Sequence, residues 1–335
     1  MCMKILVTGG AGFIGKNFIQ LLSRIRATWR LTNLDLLTYA GNVSGLPEPS
    51  ETYRFIHGDI RDPKVVEEAI QGQAAVVNFA AESHVDRSIL NASEFVSTNV
   101  LGTQVLLDTA RTAGVPIFVQ VSTDEVYGSL NRDDQPFRED TPIAPRSPYA
   151  ATKAAADLLA QSYHETYGMD VRITRCSNNY GPYQFPEKLL PLSILNTLHG
   201  RPVPIYGDGR QRRDWIHVED HCRAILAVLE QGRPGEVYNI GAEQETENLA
   251  AVRMVLREIG ASEDLLRFVR DRPGHDRRYA MDANKIRAEL NWEPRYRFDE
   301  GLAQTVAWYQ ANEAWWRPLL GDEYQAYYLT QYGKR

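Results

Sequence analysis

Cysteine is scarce in this chain, and the three that occur, Cys2, Cys176 and Cys222, form no Cys-x-x-Cys pair. That excludes a disulfide framework and leaves reduced thiols as the expectation. No apolar run approaches the roughly 20 residues of a membrane-spanning helix, so no membrane partner is expected. Met1-Cys-Met-Lys leads directly into strand-like residues instead of a secretory leader, and the cytoplasm is the expected location. Positive charge is also in short supply: 37 Lys and Arg against 43 Asp and Glu give a net charge of -6. The basic residues are scattered, which argues against nucleic acid as the partner. Internal repeats and low-complexity tracts are absent. What remains is a chain of 335 residues, enough for one large domain or two moderate ones around an ample core.

Short apolar strands are expected at residues 4–8, 31–34, 53–57, 75–79, 117–121 and 170–174, with helical segments between most of them. Such alternation predicts an α/β fold, a Rossmann-like doubly wound parallel sheet. After Tyr180 the texture changes, because Pro182, Pro186, Pro191, Pro202 and Pro204 divide the chain into short elements. Residues 1–180 are therefore expected to form mainly a cofactor-binding domain. Residues 181–335 should form a smaller, interleaved substrate-binding domain, with residues 237–241 and the segment around Trp215 returning to the main sheet. The aromatic-rich tail, 308–332, is expected as packed helix and a terminal strand.

Gly9-Gly10-Ala11-Gly12-Phe13-Ile14-Gly15 follows the first strand and opens a helix. Glycines at positions 9, 12 and 15 allow a tight turn, close approach of backbone to a pyrophosphate, and close helix packing. Asp35 ends the second strand 20 residues after Gly15, where a carboxylate can bond a ribose and repel a 2'-phosphate. NAD is thus the expected cofactor. Asp59, followed by Ile60, ends the third strand and can reach an adenine edge or cap a helix; both readings are open. Ala80 and Ala81, after the fourth strand, are small enough for a dinucleotide to lie against the backbone, or simply for close packing.

The most informative stretch is Ser122-Thr123-Asp124-Glu125-Val126-Tyr127-Gly128, at the end of a buried strand, followed by Tyr149-Ala150-Ala151-Thr152-Lys153. Active groups of open α/β sheets sit at that strand edge. Tyr149 and Lys153 are spaced i, i+4 on a helix expected over 148–164, so both face one way. A cation there would lower the phenol's pKa, making Tyr149 a base toward a sugar hydroxyl, and the adjacent carboxylates remain for separate proton transfers. The set points to oxidation coupled to elimination.

On these motifs the chain resembles the dTDP-glucose 4,6-dehydratase family of extended short-chain dehydrogenases/reductases, from Lys4 to about Trp316. Related epimerases carry small or hydroxyl residues where this chain has Asp124 and Glu125. The resemblance implies dTDP-glucose as substrate, and Thr123, Asp124, Glu125, Tyr149 and Lys153 as the catalytic set. It places Phe13, Ile14, Thr98 and Asn179 at the cofactor. It also places Ser83, Asn178, Glu187, Lys188, Leu189, Pro204, Tyr206, Asn248, Arg272 and His275 at the nucleotide sugar, with Leu36 departing from the usual Lys. Without it, residues 178–189 read as a Pro-rich surface turn with a solvated ion pair. Arg213 is the expected diphosphate fork, with Arg210 and Arg212 as surface charges. His217 and His221 stand i, i+4 without a third ligand, so a capped helix start is expected there rather than a metal site, and His84 is expected to be structural. A homodimer paired through helices over 98–113 and 148–167 is the implied assembly. Another nucleotide-sugar dehydratase or a 4-epimerase, and a non-catalytic nucleotide sensor, stay open as rivals.

Overall fold

The computed structural model describes residues 2–332. In chain order the strands are β1 (Lys4–Thr8), β2 (Arg30–Asp35), β3 (Tyr53–His57), β4 (Ala75–Asn78), β5 (Ile117–Thr123), β6 (Val171–Cys176), β7 (Asn178–Tyr180), β8 (Val203–Tyr206), β9 (Arg212–His217), β10 (Val237–Ile240), β11 (Glu245–Glu247) and β12 (Leu266–Val269). Seven of them form one parallel sheet in the order β10-β6-β5-β4-β1-β2-β3.

The strands read as apolar runs because both faces are covered. Ile5 and Val7 of β1 pack with Phe18, Leu22, Ile225 and Leu229, from the helices Phe13–Ile25 and Val218–Gln231. Leu6, between them, faces the opposite layer with Val66, Leu106 and Ala160, from the helices Pro63–Ile70, Thr103–Thr112 and Pro148–Tyr167. Chain order reverses between β1 and β4, and the crevice at their carboxyl ends is where such sheets take ligands.

A three-stranded sheet, β11-β9-β7, and a two-stranded one, β12-β8, lie outside the large sheet. Their core gathers Tyr180, Ile194, Trp215, Val255, Phe298 and Tyr309. Two sequence expectations need correction. The strand carrying Trp215 does not rejoin the large sheet: it pairs with β7 and β11, while β10 does rejoin, beside β6. Nor does the tail end in a strand. Residues Asp322–Tyr332 are helical, and the i, i+4 spacing of Tyr324, Tyr328 and Tyr332 stacks their rings at 6.3 and 5.0 Å along one face. The helix that carries Tyr149 runs a turn past His164, to Tyr167, until Gly168 ends it in the left-handed region at φ +68°.

Candidate active site

One cleft runs along the carboxyl edge of the large sheet, and its wall contains every residue expected to contact the cofactor: Gly9, Gly12, Phe13, Ile14, Gly15, Asp35, Asp59, Ile60, Ala80, Ala81, Thr98, Tyr149, Lys153 and Asn179. At its head the backbone needs glycine. A Cβ on Gly9, at φ +70°, would lie 2.6 Å from the Ala80 nitrogen, and one on Gly15 would lie 2.4 Å from the Gly9 carbonyl oxygen. Gly12 begins the helix Phe13–Ile25 with no side chain capping it, which leaves the positive helix terminus open to a phosphate. Asp35 accepts hydrogen bonds from the Ala11 and Leu37 amides, both at 2.8 Å, so its carboxylate is fixed at the cleft wall with lone pairs to spare. Burial pushes its pKa up, against the pull of those amides. This donor and acceptor set fits a dinucleotide. Asp59 is not the helix cap that was its alternative, because Asp62 accepts from the Lys64 amide; Asp59 instead binds Arg61 through Nε at 2.9 Å.

The residues expected to be catalytic come from two elements. β5 ends at Thr123, and Asp124–Tyr127 forms a tight 3-10 turn that Thr123 caps by accepting from the Glu125 amide. Tyr149 and Lys153 stand in the first turns of a helix capped by Ser147, whose hydroxyl accepts from the Ala150 amide at 3.1 Å. The Tyr149 phenol and the Thr123 hydroxyl line the same cleft. Asp124 is 2% exposed; its Oδ1 accepts from Thr123 at 3.2 Å, and its buried Oδ2 has no partner. Burial first, and Glu125 second, push Asp124 well above the usual carboxylate range. Glu125 is also raised by burial, but Arg272, Lys188 and Arg213 hold it back.

The phenol does not follow expectation. Burial, then Glu125, pushes Tyr149 well up. Lys153 does not offset this, because its Nζ donates to the Val121 carbonyl at 2.7 Å and burial lowers its own pKa. Spacing put the two side chains on one face; the strand carbonyl decided where the ammonium points.

Past the Asp124–Tyr127 turn the cleft is walled by Ser83, Asn178, Glu187 and Lys188. The Asn178 Oδ1 is buried and unpartnered. Glu187 is in no solvated pair with Lys188: it accepts from the Tyr39 hydroxyl at 2.8 Å and from Arg87 Nε at 3.1 Å, while Lys188 donates to the Ser83 carbonyl at 2.9 Å. Leu189, expected at the base, begins the helix Leu189–Leu198 and is partly buried against the apolar core. Arg213 is buried over the Tyr279 ring at 4.3 Å and donates to the Asp276 carbonyl, whereas Arg210 is exposed and Arg212 lies 3.8 Å from Glu245. Arg272 pairs with Asp86 at 3.1 Å and keeps a buried, unpartnered Nε. Asp86 also accepts from Tyr206 at 2.9 Å and from Gln331 at 2.7 Å. Burial lowers His275 to about 4, and its Nδ1 lies 2.6 Å from Asp271 Oδ1. Asn248 heads the helix Asn248–Ile259 with a buried, unpartnered Oδ1, and Pro204 is buried in β8.

Sequence reasoning missed Tyr39, Arg87 and Asp86, whose only local signal was a charged, aromatic texture. His217 caps the next helix by accepting from the Glu219 amide, and His221 Nδ1 lies 2.8 Å from Asn179 Oδ1. His84 is buried at the start of the helix Val85–Leu90, edge-on to Tyr327.

A family model described as GDP-mannose 4,6 dehydratase matches residues 6–305. The dTDP-glucose 4,6-dehydratase of Streptomyces niveus is 52% identical over 325 residues, covering 95% of this chain and 96% of that one. The chain belongs to the dTDP-glucose 4,6-dehydratase family. Within that family, the crystal structure of DesIV from Streptomyces venezuelae, with NAD and dTDP bound, superposes with a TM-score of 0.92 at 51% identity, covering 95% of this chain and all of that one. The Bacillus anthracis dTDP-glucose 4,6-dehydratase in complex with NAD gives 0.89 at 46%, with coverage of 95% and 100%. Outside the family, the Thermotoga maritima UDP-glucose 4-epimerase keeps the fold, with a TM-score of 0.86, but only 30% identity over 93% of this chain and 100% of that one.

Proposed function

We propose that this chain is an NAD-dependent lyase that converts dTDP-glucose to dTDP-4-keto-6-deoxyglucose and water, a step of nucleotide-sugar metabolism and deoxysugar biosynthesis. The observation that carries this reading is the pair Asp124, buried, and Glu125, half-buried, side by side on the turn after β5 and in one cleft with Thr123, Tyr149 and Lys153. A 4-epimerase has no use for two further proton-transfer groups there. The names of the relatives support thymine as the base, and residues 1–180 and 181–335 are read as mainly cofactor-binding and mainly nucleotide-sugar-binding.

NAD, when bound, supplies the acceptor for hydride from C4 and returns that hydride to C6. Gly9, Gly12, Gly15, Asp35, Asp59, Ala80 and Thr98 would hold it. Thr123 orients the 4-hydroxyl, and Tyr149 takes its proton. The phenol is pushed up by burial and carboxylates, so it acts as a base only once a positive charge stands opposite it. With C4 oxidised, the C5 proton is acidic, and Glu125 removes it. Asp124, kept protonated by burial and by Glu125, gives its proton to the departing 6-hydroxyl. After water leaves, Glu125 delivers to C5 a proton that has exchanged with solvent. Arg213 and Arg272 bind the diphosphate, with Tyr206 and His275 alongside.

The test is isotopic. Substrate deuterated at C4 should deliver the label to C6 of the same molecule, and heavy water should place deuterium at C5. Label returned to C4 would mean epimerisation, and label lost to free NADH would mean simple oxidation.

The same reading includes a homodimer. Leu90, Leu101 and Leu158 are 67%, 50% and 54% exposed on the helical layer that carries Tyr149, an unusual amount of aliphatic surface beside a catalytic helix. A second copy of the same face would cover it. Among the described residues no helix is long and apolar enough to cross a membrane; a cytoplasmic location is part of the proposal.

A further inference from the structure

The nucleotide-sugar site proposed above, on which this inference rests, is flanked by an element that the proton chemistry does not use. The helix Asp322–Tyr332 carries Tyr324, Tyr327 and Gln331 at i, i+3 and i+7, along one face. Each meets a segment that borders the cleft. The Tyr324 hydroxyl donates to the Pro186 carbonyl at 3.3 Å, between Phe185 and Glu187 of the cleft wall. Tyr327 stands edge-on to His84, next to Ser83, and its ring centre lies 4.6 Å from the Arg87 guanidinium, which in turn holds Glu187. Gln331 is 4% exposed, and its side-chain amide donates to Asp86 Oδ2 at 2.7 Å and to the Tyr206 hydroxyl.

Asp86 is 5% exposed, and its two oxygens are divided between two tasks. Oδ2 accepts from Gln331 and from the Tyr206 hydroxyl at 2.9 Å, while Oδ1 accepts from Arg272 Nη1 at 3.1 Å. Two donors on one oxygen fix a terminal torsion that is otherwise broad and two-fold, so Oδ1 stays turned to the guanidinium. Arg272 is held through Nη1, and its Nε is buried without a partner. Nε and Nη2 form the parallel donor edge that a phosphate takes in bidentate fashion. Burial raises Glu125, and Arg272 is the first of the cations that hold it back, which puts the guanidinium beside the cleft.

We propose that Gln331 is a positioning residue for diphosphate recognition: by occupying Asp86 Oδ2 it keeps Oδ1 on Arg272 Nη1, and so keeps the Nε edge of Arg272 oriented for the diphosphate of the nucleotide sugar. It acts through Asp86 and is not a catalytic residue. An amide suits the task, because it gives a buried carboxylate a donor without a positive charge that would compete with Arg272 for the same group. The C-terminal helix thereby belongs to the substrate site, although its residues lie far along the chain from Asp86.

The experiment titrates dTDP, and separately thymidine, into the NAD-loaded protein by calorimetry. Thymidine offers the base and the deoxyribose without the diphosphate. The native chain is compared with Gln331→Met, which keeps the length of the side chain and removes the donor, and with Gln331→Glu, which keeps its shape and turns the donor into an acceptor facing Asp86. Both variants should weaken dTDP by roughly tenfold, the order of one hydrogen bond to a charged group, while thymidine affinity and NAD retention stay unchanged. Should Gln331→Met not fold, Gln331→Glu carries the test. A variant that loses dTDP and thymidine in equal measure, or loses neither, would overturn the proposal and leave Gln331 a packing residue. Native protein that retains NAD and binds no dTDP would remove the nucleotide-sugar reading itself, and this inference with it.

Discussion

Replacing Asp124 by Asn should make the protein a far worse catalyst and a more stable fold. Asn has nearly the shape of the carboxylic acid but no transferable proton. Loss of one acid in the elimination step should slow turnover by roughly two to four orders of magnitude, or about 3–5 kcal/mol of barrier. Oxidation at C4 does not use Asp124, so reduced cofactor should accumulate on the enzyme and be visible at 340 nm. The stability effect has the opposite sign. The folded-state pKa of Asp124 is raised, by burial first and Glu125 second. Its burden is therefore absent below the unfolded value of about 3.9 and grows as pH rises toward the folded pKa. Each unit of upward shift costs about 1.4 kcal/mol at high pH. At about 2.1 cal/mol/K of unfolding entropy per residue, that is about 2 °C per unit for a chain of 335 residues. Thermal unfolding from pH 4 to pH 8 should thus show Asp124→Asn gaining on the native protein as pH rises. A variant that is equally active, or that loses melting temperature as pH rises, would refute both the protonated resting state and the role of general acid.

Tyr149→Phe should block the first step, so that no reduced cofactor appears on mixing with substrate, in contrast to Asp124→Asn. Gly15→Ala would drive a Cβ to within 2.4 Å of the Gly9 carbonyl, a backbone atom that cannot swing aside; NAD should be lost on gel filtration even where the fold survives. Asp35→Ala removes the acceptor held by the Ala11 and Leu37 amides and should weaken NAD retention while reducing discrimination against NADP; unchanged affinity for both would sink that assignment. Leu158→Glu places a charge in the exposed apolar face and should yield monomers in sedimentation at micromolar concentration, where the native chain is expected to sediment as a dimer.

What the sequence determined by itself was local and periodic. β1, the glycine turn and Asp35 were legible because one spacing has to satisfy a turn, a helix start and a ribose at once, and short-range geometry gives that little freedom. The Thr123-Asp124-Glu125 run and the Tyr149/Lys153 pair were legible because a strand end and an i, i+4 spacing set their directions without help from distant residues. Tertiary structure alone decided the rest. The Val121 carbonyl captured the Lys153 ammonium, and burial raised a phenol expected to be lowered. Tyr39, Arg87 and Glu187 meet from positions more than a hundred residues apart in their farthest pairing, and Asp86 gathers Tyr206, Arg272 and Gln331 in the same way. Such contacts depend on how the crossovers bring chain segments together and on the desolvation that follows, and neither leaves a periodic mark in the sequence.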